Sequence, residues 1–303
     1  MALPQSGLTE QAIRTIDSPW RVPYDGGLST APAVFRPEDK PEGCKDRLQQ
    51  SRKAIRPHQR KLQASKQFGV LLIFQALDAA GKDGVIREVF EALDPVNVNV
   101  AAFKAPSEEE LRHDFLWRTS KFLPQRGEFA VFNRSYYEEV LTVRVHTEFL
   151  NGQFNGLVPD PETLWLQRYR AIREHEYHLA TANTLILKFW LNVSPARQAQ
   201  RFLERLDTPE KRWKFSLGDI RESNFRPQYD EAVLHMLNET SRPWAPWFCI
   251  PADDRWYLRW QVADIIQQAL AALPMSYPEA EEIPETEVQS IRMLLESRLD
   301  RTN

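Results

Sequence analysis

The sequence predicts an α/β fold in which a central parallel sheet is covered by helices on both faces. Five short apolar runs alternate with stretches long enough for crossover helices, and they lie at 70–75, 97–103, 128–133, 184–192 and 246–250. Near-continuous apolar runs are typical of parallel strands that are buried on both faces. The chain has 303 residues, of which 42% are hydrophobic, so it can bury a sizeable core. Ligands of such sheets bind beyond the carboxyl ends of the strands, so the residues that follow each run are candidates for a functional site.

The chain divides into three parts. Residues 1–44 contain many prolines and glycines with little periodicity, and we expect an extended arm wrapped on the domain. Residues 45–274 are expected to form one globular unit. Residues 275–303 begin with an acidic linker that contains proline and end with a short amphipathic helix, which is either a satellite of the domain or an oligomer contact.

The first apolar run leads into a segment typical of a phosphate-binding loop. Residues 70–87 read VLLIFQALDAAGKDGVIR, in which a Gly-Lys pair precedes a helical stretch. The usual G-x-x-x-x-G-K-[ST] pattern is broken twice, because Ala76 replaces its first glycine and Asp83 replaces its metal-binding hydroxyl. Glycines allow close backbone approach to a ligand, and a helix N-terminus attracts anions. We predict that the anion is bound by Ala79, Ala80, Gly81, Lys82, Asp83 and Gly84; an ordinary strand–turn–helix junction is the alternative.

Asp78 is an unusual residue inside a phosphate loop. Its carboxylate would repel phosphate unless a cation lay between them, and Mg²⁺ binds one or two carboxylates together with phosphate oxygens. We therefore predict that Asp78 is a magnesium ligand that replaces the missing hydroxyl. A solvated aspartate in a turn is the alternative.

A helical segment after the second run supplies a weaker candidate. Ser107 followed by Glu110 predicts a capping box. Arg118, which we expect on the same helix, is predicted to clamp a base or a phosphate together with the aromatic residues beside it. A core role for those aromatic residues is the alternative.

The segment after the third run provides a second strong set of candidates. Residues 133–141 read NRSYYEEVL, with Asn133 near the point where a conventional phosphate-loop enzyme has an aspartate. Arg134 is placed to bind phosphate with two hydrogen bonds. Glu138 is expected to orient a metal-bound water or a nucleotide group. Glu139 is expected to be a solvated residue at the start of a helix.

Basic residues farther along the chain predict a lid over the phosphates. Arg173 is predicted to share a helix face with Tyr169, four positions before it. A basic stripe then recurs at every fourth residue, formed by Arg197, Arg201 and Arg205. A proline-marked break separates it from a second cluster, formed by Lys211, Arg212 and Lys214. Lids that close over phosphoryl groups exclude water and complete the charge around them. A solvated face is the alternative for these charges.

Composition excludes several classes of protein. The net charge of −3 at pH 7 argues against a general polyanion binder, so affinity for acidic substrates must come from a local cluster. Cys44 and Cys249 lack metal-ligand spacing, and we expect them to be small buried hydrophobic residues. The sequence begins without the pattern of a signal peptide, and it has no apolar stretch of about 18 residues. We expect a cytoplasmic protein with no membrane or nucleic-acid partner.

Five motifs occur in order and together resemble the polyphosphate kinase 2 family. They are DAAGKDG (78–84), PSEEELRHDFLWR (106–118), VFNRSYYEEVLTVRVH (131–146), RYRAIREHE (168–176) and RLDTPEKRWKFSLGD (205–219). The resemblance covers residues 45–274, and the NRS-x-YE-x-VL form is most similar to the class III branch, which acts on nucleoside mono- and diphosphates. It implies a three-layer, thymidylate-kinase-like P-loop fold with a helical lid around 197–219. It also implies Mg²⁺ as the metal, with Mn²⁺ as the alternative ion.

The resemblance also implies roles for residues. Asp78 is the metal ligand and an acidic catalytic residue, Lys82 holds the transferring phosphate, and Arg134 is a second phosphate contact. Glu138 joins them as a catalytic candidate because of its position after the third run. The basic residues of the lid or polyphosphate channel are Lys211, Arg212 and Lys214. The family's loop reads D-A/G-A/G-G-K-D, so the two loop aspartates follow its pattern. The chain departs from the family pattern at two positions: Tyr136 replaces a histidine and Glu139 replaces an aspartate. These departures leave the preference between mono- and diphosphates open.

The predicted reaction is phosphate transfer from inorganic polyphosphate to ADP, giving ATP, and to AMP, giving ADP, by a homo-oligomer (a dimer or tetramer). One alternative is a nucleotide kinase that uses ATP as donor on the same fold. A second alternative is a non-catalytic regulator that binds nucleotides or phosphate. Loss of Lys82 or Arg134 would favour the regulator, and both residues are present.

Overall fold

The computed structural model describes residues 7–28, 40–91, 93–279 and 282–300. Within these residues the centre of the molecule is a sheet of five parallel strands in the spatial order β2-β3-β1-β4-β5. The strands are β1 (Gly69–Gln75), β2 (Val98–Ala102), β3 (Phe129–Asn133), β4 (Thr184–Asn192) and β5 (Trp247–Pro251). Each predicted apolar run coincides with one strand, so the predicted α/β class with a parallel sheet is confirmed.

Helices connect the strands and cover both faces of the sheet. In the described part of the chain they are α1 (Leu8–Arg14), α2 (Cys44–Ser65), α3 (Lys82–Phe90), α4 (Glu108–Leu111), α5 (Trp117–Ser120), α6 (Thr142–Val145), α7 (Leu150–Phe154), α8 (Pro161–Thr181), α9 (Pro195–Asp207), α10 (Leu217–Ser223), α11 (Arg226–Thr240), α12 (Arg255–Ala272) and α13 (Glu285–Asp300). Short 3₁₀ helices lie at Pro95–Asn97, Tyr136–Val140, Thr147–Phe149 and Pro209–Lys214.

The sheet separates two hydrophobic cores, because successive side chains of a strand point to opposite faces. Val70, Leu72 and Phe74 of β1 join a core that includes residues of α1, α2, α3 and α12. Leu71 and Ile73 join the opposite core, which includes residues of α8, α11 and the 3₁₀ helix Tyr136–Val140. All seven residues of β1 are buried. The molecule therefore has three layers, with β1 at the centre of the sheet.

The N-terminal segment differs from the extended arm that we expected. Leu8–Arg14 forms helix α1, and Ala12 and Ile13 are buried in the core beneath α12. An ion pair of 2.6 Å between Glu10 and Arg14, one helical turn apart, supports this helix. The segment then runs beside β5, where Arg21 forms an antiparallel bridge. The part of the expected arm that contains Pro32 and Pro37 lies outside the described residues.

Several smaller predictions can be compared with the structure. The capping box is confirmed, because Ser107 and Glu110 exchange both hydrogen bonds, but the helix stops at Leu111 and α5 carries Arg118 separately. Cys44 and Cys249 are both free and buried, as expected. The tail forms helix α13, none of whose residues is buried, so its amphipathic character stays a prediction. Among the described residues, no helix is long and apolar enough to cross a membrane.

Candidate active site

The phosphate loop, residues 76–81, joins β1 to α3 at the carboxyl edge of the sheet. Gly81 has a φ of 102° and ends the loop directly before α3, as its N-cap residue. Ala79 has a φ of 61°, in the left-handed region that glycine adopts without cost. A non-glycine residue in that region costs about 1–3 kcal/mol and persists only where its surroundings hold it. The loop is therefore a strained turn that leads into a helix N-terminus, a position that favours anions.

Lys82 is the first residue of α3, and its side chain folds back over the loop. Its Nζ donates hydrogen bonds to the carbonyl oxygens of Ala76 at 2.7 Å and Leu77 at 3.5 Å. Burial, reinforced by the positive charge of Arg134, lowers the pKa of Lys82 to about 8. The ammonium is still mostly protonated at neutral pH, so it provides a positive charge beside the loop.

Arg134 lies between two carboxylates at the carboxyl ends of β1 and β3. Its φ is 65°, and its backbone N–H donates to the carbonyl oxygen of Phe74 at 2.9 Å, which turns the chain towards the loop. Its Nη2 lies 2.7 Å from Asp78 Oδ1, and its Nη1 lies 3.9 Å from Glu138 Oε2. The charges of Glu138 and Asp78 raise the pKa of Arg134. The arginine is thus permanently charged and fixed beside the metal-ligand candidate.

Three further hydrogen bonds fix the polar groups around Arg134. Glu138 accepts hydrogen bonds from Gln75 Nε2 at 3.0 Å and Thr142 Oγ1 at 2.6 Å. Asn133 Nδ2 donates to Asp83 Oδ1 at 2.8 Å and thereby ties the end of β3 to the first turn of α3. The carboxylate of Glu138 therefore has a defined orientation before any substrate binds.

The expectation that Glu139 is solvated is wrong. Glu139 is 6% exposed, its Oε2 lies 3.2 Å from Arg168, and it accepts a hydrogen bond from Gln153 at 2.7 Å. Burial raises the pKa of Glu139. The segment forms a 3₁₀ helix, Tyr136–Val140, which turns this side chain inward to a partner far away in the sequence.

A basic cleft of about 810 Å³ runs along the phosphate loop. Its basic lining side chains are Lys82, Arg87, Lys104, Arg134, Arg197, Arg201, Arg205, Lys211, Lys214, Arg255 and Arg259, and its acidic ones are Asp78, Asp83 and Glu204. The cleft brings together most of the predicted site, namely Asp78, Ala79, Ala80, Gly81, Lys82, Asp83, Gly84, Asn133, Arg134, Lys211 and Lys214. This excess of positive charge is local, because the whole chain is slightly acidic.

Sequence reasoning missed four of these basic residues. Lys104 directly follows the second apolar run, and Arg255 follows β5 by four residues. The rule that ligands bind at the carboxyl ends of strands could have found both of them. Arg87 and Arg259 lie within α3 and α12 and have no comparable signal in the sequence.

A second cavity, of about 550 Å³, adjoins the basic cleft, because Phe103, Lys104, Ala105 and Arg134 line both. Its apolar lining includes Phe103, Pro106, Leu111, Val143 and Phe149, and its polar lining includes Lys104, Arg118, Arg134 and Glu138. Arg118 Nη2 donates to the carbonyl oxygen of Lys104 at 2.6 Å. Arg134 lines both cavities, so it stands where a group passing from one to the other would be held.

Two predicted residues are not brought to these cavities. Arg173 on α8 donates to the backbone oxygen of Glu239 at 2.8 Å and lies 3.1 Å from its carboxylate. Arg212 donates from its Nε to the carbonyl oxygen of Leu206 at 2.7 Å. Neither residue lines the basic cleft or the second cavity. The i, i+4 pattern correctly placed Arg173 on a helix face, but that face meets α11.

The residues of the loop fit a magnesium ion that is shared with a phosphate substrate. Over the described ranges, no three or more His, Cys, Asp or Glu side chains form a metal-binding group of their own. The side chain of Asp78 is 33% exposed and lines the cleft, and Asp83 is close by on the first turn of α3. Mg²⁺ keeps several waters and commonly takes only one or two carboxylates plus substrate phosphates. Such a donor set suits a site that is completed by substrate.

Comparison with known proteins agrees with this geometry. The chain is 47% identical to an ADP-polyphosphate phosphotransferase of Rhodopseudomonas palustris over 78% of this chain and 82% of the relative. It is 44% identical to an AMP/ADP-polyphosphate phosphotransferase of Meiothermus ruber over 86% of this chain and 96% of the relative.

A solved structure is also similar along most of its length. The crystal structure of polyphosphate kinase 2 from Arthrobacter aurescens TC1 superposes with a TM-score of 0.76 at 33% identity, covering 90% of this chain and 98% of that one. This similarity confirms the predicted three-layer P-loop kinase fold. The family model of polyphosphate kinase 2 matches residues 38–278. The chain therefore belongs to the polyphosphate kinase 2 family.

Proposed function

We propose that the protein transfers phosphate from inorganic polyphosphate to ADP, giving ATP, and to AMP, giving ADP. The observation that carries this proposal is the basic cleft of about 810 Å³ that leads to the phosphate loop. Polyphosphate is a linear polyanion with negative charge on every unit, and a cleft lined by many basic side chains offers it many contacts. A nucleotide triphosphate donor would need only the part of the cleft nearest the loop. The names of the two relatives above support the same donor.

The nucleotide acceptor occupies the second cavity in this proposal. Phe103 and Phe149 provide apolar surface for the base, while Arg118 and Lys104 provide positive charge for the phosphates. Arg134 lines both this cavity and the basic cleft, and Glu138 lines this cavity beside it. The acceptor's terminal phosphate would then meet the end of the polyphosphate at Arg134.

The chemistry requires in-line positioning and stabilisation of negative charge, with little covalent work by the protein. Arg134 holds the transferring phosphoryl group through two N–H groups, and Lys82 adds a charge from the loop side. Backbone N–H groups at the start of α3 bind the same anion. Glu138, which Gln75 and Thr142 hold in place, orients the acceptor.

The metal site is part of the proposal. Asp78, with Asp83 beside it, would hold Mg²⁺ or Mn²⁺ together with phosphate oxygens, and the ion would neutralise charge on the phosphates as they react. The carboxylate of Asp78 also keeps Arg134 in place, since Oδ1 accepts its hydrogen bond at 2.7 Å. One residue therefore serves both the ion and the phosphate-binding arginine.

A lid formed by α9, the 3₁₀ helix Pro209–Lys214 and α10 closes over the polyphosphate. Lys211 and Lys214 already line the cleft, whereas Trp213 between them is 78% exposed. Closure would bring additional positive charge onto the chain and exclude water. Arg212 contacts Leu206 and points away from the cleft lining, so it contributes less.

The protein acts as a homo-oligomer, a dimer or a tetramer. Support comes from α13, on which Ile291, Met293, Leu294, Leu295 and Leu299 are all exposed. Exposed apolar surface of this kind marks an interaction site. Light scattering on the full chain and on a chain ending at residue 279 tests this, and equal masses for the two would assign α13 another role.

Donor preference tests the proposed function. ADP or AMP is incubated with long-chain polyphosphate and Mg²⁺ in the absence of ATP, and the nucleotides are separated by chromatography. We expect ATP from ADP and ADP from AMP, with no product from a Lys82→Met variant. Phosphorylation of AMP by ATP with no reaction from polyphosphate would favour an ordinary nucleotide kinase.

A further inference from the structure

Arg201, on helix α9, is bonded to the backbone of the phosphate loop. Its Nη1 donates to the carbonyl oxygens of Ala79 at 2.9 Å and Ala80 at 2.7 Å. Its Nη2 donates to the carbonyl oxygens of Ala252 at 2.6 Å and Asp253 at 3.3 Å. One guanidinium therefore ties the loop after β1 to the segment after β5.

Gln198 extends this contact by one residue. It lies one helical turn before Arg201, is buried, and donates from Nε2 to the carbonyl oxygen of Asp78 at 2.9 Å. The carbonyl oxygens of Asp78, Ala79 and Ala80 are thus all turned towards α9. In a trans peptide the C=O and the following N–H point in opposite directions. The N–H groups of Ala79, Ala80 and Gly81 are therefore turned away from α9. That of Ala80 donates to the carbonyl oxygen of Leu77 at 3.3 Å, which leaves those of Ala79 and Gly81 to face a bound phosphate.

These bonds lie at the strained point of the loop. Ala79 holds a φ of 61° although it carries a Cβ, and such a residue stays in place only where its surroundings determine it. Arg201 binds the carbonyl of this residue and that of the next one, so it opposes relaxation of the turn. Glycine at position 79 would need no such support.

Arg201 is poorly placed to be a phosphate ligand itself. Four of the five N–H groups of a guanidinium are used here on carbonyl oxygens. The side chain of Arg197, one turn earlier on the same helix, instead hydrogen-bonds to the side chains of Gln200 and Glu204. The two arginines of one basic stripe thus have different partners: the backbone of the loop for Arg201, and neighbouring side chains for Arg197.

We infer that Arg201 is a positioning residue that holds the phosphate loop in its anion-binding conformation from the base of the lid. The inference rests on one part of the proposed function, namely that the loop binds phosphate. It makes α9 the physical connection between lid and loop. The same helix carries Arg205, which lies 3.1 Å from Asp219 of α10 and donates to the carbonyl oxygen of Lys214.

A double-mutant cycle tests this role. Arg201→Ala should weaken binding of inorganic tripolyphosphate, measured by calorimetry, by about tenfold, the effect of removing support from one strained residue. Ala79→Gly keeps the backbone N–H of the loop but removes the Cβ that strains the turn, so the effect of Arg201→Ala is measured again in this background. The Ala79→Gly/Arg201→Ala double variant should recover most of the lost affinity, so that the two effects are strongly non-additive.

The controls separate positioning from direct contact. Arg201→Lys keeps the charge but cannot donate to two pairs of carbonyls, so it should behave like Arg201→Ala; a lysine with wild-type affinity would mean that charge alone matters. Arg170→Ala, which removes an exposed arginine of α8, controls for the loss of one positive charge. A Lys82→Ala variant should not be rescued by Ala79→Gly.

Two results would overturn the inference. Unchanged tripolyphosphate affinity in Arg201→Ala would show that the loop holds its shape without this residue. A loss that Ala79→Gly fails to restore would assign Arg201 to the phosphate itself. Because the readout is anion binding, it stays informative even if the donor assay finds that polyphosphate is not used, and the two failures are distinguishable.

Discussion

Replacing Asp78 with asparagine is the perturbation that most directly probes the metal and phosphate site. The exchange keeps the size of the side chain and a hydrogen-bond acceptor for Arg134, 2.7 Å away, but removes the negative charge. Loss of one preorganised electrostatic element in an active site lowers turnover by about a hundredfold or more. We therefore expect kcat to fall by at least about a hundredfold at saturating Mg²⁺.

Stability should hardly change in this variant. The side chains of Arg134 and Asp78 are 36% and 33% exposed, and such a pair contributes roughly 0–1 kcal/mol after solvent screening. The free energy of unfolding should therefore fall by less than about 1 kcal/mol. Urea denaturation of the variant and of wild type checks that the loss of turnover is not a loss of folded protein.

The pH profile gives an independent signature of the same change. The pKa of Lys82 is lowered to about 8 by burial, and the negative charge of Asp78 is one of the factors that raise it again. Removing that charge should lower the pKa of Lys82 further. Since the protonated ammonium binds phosphate, activity lost as pH rises should be lost at a lower pH in Asp78→Asn than in wild type.

The assay is the initial rate of ATP formation from ADP and polyphosphate across a Mg²⁺ titration, at several pH values. Asp94→Asn is the matched control, because Asp94 caps the 3₁₀ helix Pro95–Asn97 and lines neither cavity. Turnover within about threefold of wild type throughout the Mg²⁺ titration would refute the assignment of Asp78, given the hundredfold effect expected.

Two further predictions concern the lid and the core. The double variant Lys211→Ala/Lys214→Ala should raise the KM for polyphosphate about tenfold and flatten the salt dependence of that KM, because both lysines line the cleft. Arg212→Ala should have a smaller effect, and an equal effect would contradict the assignment of the two lysines, and not Arg212, to polyphosphate binding. Replacing Lys188 with methionine should lower the free energy of unfolding by about 3–5 kcal/mol. The reason is that the fully buried carboxylate of Glu176, 2.6 Å from Lys188, would lose its cation. A change below about 1 kcal/mol in urea denaturation would argue against a charged pair.

Much of the fold and of the loop could be predicted because their signals are local. The strands are continuous apolar runs, and the capping box needs only Ser107 and Glu110. The phosphate loop was found from a Gly-Lys pair between a strand and a helix. The structure then places Gly81 and Lys82 in the cleft.

The parts that were missed depend on contacts across the chain. Glu139 was expected in solvent because its partner, Arg168, is distant in the sequence. The basic stripe of α9 is visible in the sequence, but nothing there shows that Arg201 binds backbone carbonyls of the loop. Arg173 shows the same limit, since a helical spacing identifies a face without identifying the element that the face meets.

Phosphorus NMR of a single reaction tests the central claim most directly. Wild-type protein is mixed with ADP, long-chain polyphosphate and Mg²⁺, with no ATP present, and the γ-phosphate of ATP is followed together with the internal phosphates of the polymer. We predict that ATP appears as internal polyphosphate signal is lost, in equal amounts, and that chelation of the metal stops both changes. ATP that appears only with an equal amount of AMP, while the polymer stays intact, would mean disproportionation of ADP and would contradict polyphosphate as the donor.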